Sequence, residues 1–446
     1  MTPLHAVSRT PYILLVLVGM LASGFPLACE ETSAPPAAAS AARSELGDVS
    51  GPDSNDRPGS TDLATVEFSP ERVQTGELLE RAFDAAVRIP TDPHIKDRSR
   101  LQGELIEGFV TLGFADEARA RVPEIENWRR SEAYARLGVE AAADPAGAEK
   151  ARALLGLAER NRPGGLQAWR NNRIDLQIAK ALVRLGDDQT AAALDAGFEP
   201  ADQGRVSATR VESMTRAEVE PLLAQMDEVI AAKSMDLTKN VLEIEAAVYR
   251  RFFEDEALRR RLEDRVLEAG EISMLPHQLR LEALFVLSDE CLRRGDQRGA
   301  RRVIDRARAA FDDVQANRVP WSPEYATPLL GEFARRHAEA GDLDAANAEI
   351  AEAWSVYEDG LLTIADVFRA GALRPVAEAV HATGDREAAL AAYLRVLDAG
   401  ATNPNGRPRA EDLARTLHSM ARVGFQPDDV LERRIVDIES GLGAPW

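Results

Sequence analysis

Positive charge, cysteine, histidine and aromatic residues are all scarce in this sequence, and each shortage removes a class of protein. Lysine and arginine number 54 against 74 aspartates and glutamates, a net charge of −20 over 446 residues. A nucleic-acid binder needs a basic face to release counterions from phosphate, so no nucleic-acid partner is expected. Two cysteines cannot build a disulfide framework. Six histidines without an HxxxH or HExxH spacing give no readable metal site. Aromatics are only 5% of the chain. With abundant alanine and few β-branched runs, that composition argues for helices and against a large sheet. No GxSxG, P-loop or dinucleotide-type glycine pattern occurs in strand context, so neither a catalytic constellation nor a cofactor is expected.

What the sequence does contain is a repeated string. Gly-Asp-x-x-x-Ala occurs at Gly186–Ala191, Gly295–Ala300, Gly341–Ala346 and Gly384–Ala389. Glycine enters the left-handed conformation that ends a helix, and the following aspartate can cap the next one. The alanine one turn later lets two helices cross closely. Flanking residues share one register. Val376, Ala377 and Val380 precede Gly384 as Phe333, Ala334 and His337 precede Gly341 and Leu287, Ser288 and Cys291 precede Gly295. Tyr393 and Val396, Ile350 and Ala353, and Ile304 and Ala307 follow at matching offsets. These are the spacings of one buried helix face. The string predicts antiparallel helical hairpins with very short turns.

Small residue, turn glycine, second-helix alanine and the large-then-small apolar pair after it resemble the tetratricopeptide repeat family, over roughly 98–443. The resemblance implies an all-α fold, an α-α superhelix of stacked antiparallel hairpins that presents a concave face to protein or peptide partners. Gly295 to Gly341 spans 46 residues, Gly341 to Gly384 spans 43 and Gly384 to Gly424 spans 40. The family repeat is about 34, so a longer α-hairpin array nearer HEAT dimensions is the alternative. The family's peptide-clamp residues do not carry over, because the corresponding positions here do not repeat.

The chain divides as 1–28 signal peptide, 29–62 tether, 63–200 N-terminal helical repeats, 201–275 divergent helical region and 276–446 C-terminal repeats. Arg9 and the apolar run Tyr12–Leu21 read as an export signal, too short to span a membrane. Ala28-Cys29 resembles a lipobox, which makes Cys29 the lipidation residue; Pro26 stands where that motif usually has leucine. Cleavage without lipidation, leaving a soluble exported protein, is the alternative. The Ala/Ser/Pro/Gly-rich stretch after Cys29 reads as an unstructured tether. Further on, 197–206 reads as a loop, Thr215-x-x-Glu218 as a capping box, and Ser234 and Phe253 as helix breaks. The last pair, near 411–440, reads as a capping repeat with a solvent-facing outer side, and Gly441–Trp446 as a frayed tail. Trp128 and Trp169 read as isolated packing residues, and Cys291 as core.

Glu107, Asp289, Arg335, Glu378 and His418 are the residues this register turns toward the concave face. They are the candidate groove, and their mixed charge suits a polar protein-binding surface. The expectation is a membrane-tethered scaffold or adaptor in the bacterial envelope, attached through the Cys29 lipid. A lipoprotein that binds a glycan or peptide is the alternative. A wall-active helical enzyme, such as a lytic transglycosylase, would need an isolated buried glutamate in a deep cleft with a raised pKa.

Overall fold

In the computed structural model the described residues are 70–232, 235–270 and 277–446. The signal peptide, the tether, Cys29 and the break expected at Ser234 lie outside them. Residues 66–446 form one compact unit, with its boundary between Thr65 and Val66. Among the described residues every regular element is helical: α1 (Pro70–Val87), α2 (Thr91–Thr111), α3 (Ala115–Arg121), α4 (Arg129–Ala141), α5 (Ala148–Arg160), α6 (Ala168–Arg184), α7 (Asp188–Asp195), α8 (Pro200–Arg210), α9 (Arg216–Ala231), α10 (Met235–Arg251), α11 (Glu256–Gly270), α12 (His277–Arg293), α13 (Gln297–Asn317), α14 (Pro323–Glu339), α15 (Leu343–Gly360), α16 (Asp366–Ala382), α17 (Arg386–Ala401), α18 (Gly406–Val423) and α19 (Asp429–Ser440). None of the described helices is long and apolar enough to cross a membrane. The fold is an all-α solenoid of helical hairpins.

The repeated string forms the turns. Gly186, Gly295, Gly341 and Gly384 all have φ between 74° and 86°, a region closed to most side chains. Behind three of them the next amide reaches back to close the helix, Asp187 to Leu182, Asp296 to Cys291 and Asp342 to His337, at 2.8–2.9 Å. Each aspartate then caps the following helix. Asp296 accepts from the Gly299 amide at 2.8 Å and Asp385 from Ala388 at 2.9 Å, while Asp187 and Asp342 accept from Thr190 and Ala345 at 3.2 Å. Ala191, Ala300, Ala346 and Ala389 are fully buried where the two helices cross.

Local chemistry also explains the region expected to diverge. Of the stretch 197–206 only 197–199 is a loop: Pro200 starts α8 from Glu199, in the position where a missing amide is harmless. Its polar, glycine-containing sequence concealed a helix that buries Val206. The Thr215 amide donates to Glu218 Oε2 at 2.7 Å, closing the capping box that starts α9. The chain turns at 252–255 before α11.

The even-numbered helices, from α2 to α18, pack against one another in succession, whereas consecutive odd-numbered helices other than α17 and α19 scarcely touch. The even helices are therefore the inner layer. That layer closes. α18 reaches α2, and α1 packs along α18 as α15 packs along α14. The first helix of the unit thus occupies the place of a second hairpin helix in the last repeat. α19, which follows α18, lies between α17 and α1, and Arg81 of α1 grips it with bonds of 2.9 Å to Glu439 and 2.7 Å to Glu432. Arg415 of α18 pairs with Glu104 of α2 at 3.0 Å. One apolar core joins Phe83 and Phe109 to Leu417, Met420 and Ile435.

The closure changes the reading of the C-terminal pair. α18 has its apolar residues covered by α1, so the pair does not leave the array open, while its outer helix α19 does present a solvent-facing side, with Val430 and Val436 exposed. The tail after α19 is not frayed either. The Gly406 amide donates to the Pro445 carbonyl, and Trp446 packs against the core. The tryptophans at the other end are paired, not isolated: Trp128 is buried, Trp169 is 51% exposed, and their rings meet edge-on at 5.5 Å.

Candidate functional site

The five candidate residues all stand six positions before a turn glycine: Gly113, Gly295, Gly341, Gly384 and Gly424. That offset puts Glu107, Asp289, Arg335, Glu378 and His418 on α2, α12, α14, α16 and α18, all in the inner layer. The same offset from Gly186 is Lys180 on α6, which the sequence reading omitted. Burial lowers its ammonium pKa, as do Arg184, Arg136 and Arg205, against Glu243.

Neighbouring inner helices are joined by ion pairs at this level. Glu107 pairs with Arg136 of α4. Arg205 of α8 pairs with Glu243 of α10 at 3.5 Å, and Arg250 of α10 with Glu290 of α12 at 3.6 Å. Asp289 and Arg335 come together across α12 and α14 at 3.5 Å, and Asp289 holds Arg336 at 2.8 Å. Glu378 does not face an open groove. It is 2% exposed, accepts from Ser419 Oγ at 2.6 Å and pairs with Arg422 of α18. A glutamate so enclosed serves the α16–α18 contact.

His418 is half-buried against α2, where its ring fills the space a side chain at Gly108 would need. Burial pushes its imidazole pKa down to about 4, helped by Arg422 and opposed by Glu104. It is therefore neutral at neutral pH.

The inner layer is tightest between α14 and α16. A Cβ on Gly331 would stand 2.6 Å from the Pro375 carbonyl carbon and the Val376 nitrogen. Between α12 and α14 the backbones stay apart, and a cleft of about 410 Å³ opens there. Phe285, Val286, Pro328 and Leu329 make its apolar floor, with Pro375 and Arg422 reaching in from the far side. Phe285 packs edge-on against Phe333 at 5.0 Å and is covered by the Arg336 guanidinium at 4.1 Å. Val286 is 41% exposed.

One end of the cleft is a block of fixed charges. Burial alone would raise the Glu332 carboxyl, but Arg336, Arg335 and Arg422 outweigh it and hold the pKa at about 2. Burial likewise opposes the charge on Arg335, and Glu332, Glu339 and Asp289 overcome it and raise its pKa. The sequence reading found Asp289 and Arg335 here but missed Glu332, Arg336, Val286 and Tyr325. Val286 carried the one available signal, an aliphatic residue beside the buried stripe Leu284–Phe285–Leu287.

Three other carboxyls, Glu245, Glu349 and Asp412, are buried with raised pKa, and none of them lines the cleft. Glu245 and Glu349 are each pushed up to about 7 by burial, against the pull of Arg265 and Arg308 respectively. Arg265 donates to Glu245 at 2.6 Å, so that carboxyl is paired, unlike the isolated glutamate a transglycosylase would need. Among the described residues no group of His, Cys, Asp and Glu is arranged to hold a metal ion. Cys291 is buried and lies 3.1 Å from the Tyr249 hydroxyl.

No family model matches the chain, and no curated protein matches it. A solved structure similar in its helical-repeat architecture is described as a "Circular tandem repeat protein with novel repeat topology and enhanced subunit contact surfaces". The similarity covers 83% of this chain and 96% of that one, at 15% identity and a TM-score of 0.25. A superposition that loose carries no functional argument.

Proposed function

We propose that the protein is an exported scaffold of the bacterial envelope, built of tetratricopeptide-like hairpins, tethered through lipidated Cys29 and binding a segment of a protein partner in the α12–α14 cleft. The observation that carries this reading is the floor of that cleft. Val286, 41% exposed, joins Phe285, Pro328 and Leu329 in one continuous apolar floor with a block of charged side chains at its end. Exposed apolar surface rimmed by charge is the usual composition of a recognition site. The anchoring half of the proposal rests on Cys29, placed directly after the apolar run Tyr12–Leu21 and a set of small residues. Glycan binding is the weaker reading, because among the lining residues Phe285 is already covered by Arg336 and only Tyr325 keeps a partly open ring.

The test is photo-crosslinking from position 286 in intact envelopes. A benzophenone residue replacing Val286 should give discrete protein adducts, and one replacing Val436, exposed on the outer helix α19, should not. Equal labelling from both positions, or none from either, overturns the cleft as the binding surface. Palmitate labelling that survives Cys29→Ser overturns the anchor.

A further inference from the structure

The chemistry of the α12–α14 cleft also defines the kind of segment it would take; this inference rests on the proposed function and makes it specific. The lining follows one stripe on each helix. On α12 it runs Gln278, Glu282, Phe285, Val286 and Asp289, and on α14 Tyr325, Leu329, Glu332 and Arg335. At the Asp289 end every charge is matched. Both Asp289 oxygens are held by Arg335 and Arg336, Glu332 by the same two arginines, and Arg422 by Glu378. No incoming ion finds an open partner there.

Glu282 differs. It is solvent-exposed, and its carboxylate accepts a hydrogen bond only from neutral Gln278, at 2.8 Å. It is the one charged group in the lining that makes no ion pair, and the one cation acting on it, Lys239 of α10, attracts it from beyond ion-pair distance. It lies one helical turn from Val286, so the two side chains stand about 6 Å apart along the cleft.

We propose that the cleft recognises an extended peptide segment carrying an aliphatic side chain and, two residues away, a lysine or arginine. In an extended chain, side chains on one face repeat every second residue, about 6.6–6.8 Å, which matches the spacing of Val286 and Glu282. The aliphatic side chain lies on Val286 and Leu329 while the cation meets Glu282. The matched block at Asp289, Arg335 and Arg336 ends the cleft and adds no charge preference. The stripe from Gln278 to Asp289 is about 16 Å long at 1.5 Å per helical residue, room for about five extended residues. A volume of about 410 Å³ takes the side chains of such a segment but not a whole helix. The net charge of −20 favours the approach of a basic segment over an acidic one.

Fluorescence anisotropy with three labelled pentapeptides tests this: Gly-Leu-Ser-Lys-Gly and its Gln and Glu counterparts at the fourth position. The lysine peptide should bind the full-length protein at least tenfold more tightly than the glutamine peptide, and the glutamate peptide most weakly. Glu282→Gln should bring lysine and glutamine together, and Val286→Asp should abolish all binding; both positions are exposed, so the fold survives, as thermal melts would verify. Equal binding of the lysine and glutamine peptides, still lost in Val286→Asp, overturns the charge rule and leaves the proposed function standing. Binding that Val286→Asp does not affect, or no binding at all, overturns the inference, and crosslinking from position 286 then decides the proposed function separately.

Discussion

His418 shows how one residue ties the closure of the array to pH. Its ring lies against Gly108 of α2, with Arg422, Glu104, Arg374 and Glu107 around it. Its folded pKa of about 4 lies below the ordinary value near 6.5. Between those values the unfolded chain binds a proton that the folded chain refuses. Stability is therefore full above about pH 6.5 and is lost as pH falls toward 4. The share due to His418 is about 1–3 kcal/mol after allowance for its partial exposure. His418→Gln cannot take up that proton. Urea denaturation near pH 7 and near pH 4.5 should show a smaller loss of stability for the variant than for the natural chain. Identical losses would mean the histidine plays no part in the acid response. Its place on the inner layer was legible from its offset to Gly424, since that offset is a local property of one helix. Its contact with α2 was not, because Gly108 and His418 lie at opposite ends of the unit.

At the scale of elements, the hairpin turns and their caps were legible and the spaces between hairpins were not. A turn needs glycine, aspartate and a small residue within six positions, so the string at Gly384–Ala389 identifies it without any tertiary information. α8 escaped because it combines Pro200 and Gly204 with polar residues; the tertiary contacts that bury Val206 override its weak local preference. The cleft escaped for a different reason. Whether two inner helices touch or part depends on side chains that meet from more than forty residues apart. Gly331 decides it on one side, since only a glycine lets α14 lie against Pro375. Gly331→Ala should cost about 1–3 kcal/mol, because the atoms it meets are backbone and cannot swing aside. Gly103 of α2 is the control. Nothing lies within 4 Å of a Cβ built there, so Gly103→Ala should gain about 0.5–1 kcal/mol from helix preference. Chemical denaturation of the two variants separates them by sign. If both shift the same way, close packing at Gly331 is not what joins α14 to α16.

At the scale of the whole unit, closure alters what repetition implies. In an open solenoid each repeat leans only on its neighbours, and the two ends fray first. Here α1 lies on α18, and Arg81 holds α19 through Glu432 and Glu439, so neither end is free. The residues that meet are more than three hundred positions apart, and no repeat string encodes such a pairing. Amide exchange should therefore be as slow in 79–86 of α1 and 413–420 of α18 as in 330–337 of α14. Arg81→Glu places a third carboxylate beside two others and should cost about 1–3 kcal/mol; changing Glu432 and Glu439 to arginine should restore most of it. The location of the loss is the more telling result. α1 and α18 bury each other's apolar faces, so parting them exposes both at once, and exchange in Arg81→Glu should quicken in the two helices together before it does in α14. Quickening of α1 alone would mean that it is a terminal helix resting on an otherwise complete solenoid. Joint quickening means that the last hairpin is unfinished without it, and that the unit must bring its first and last helices together to complete the repeat begun with α18.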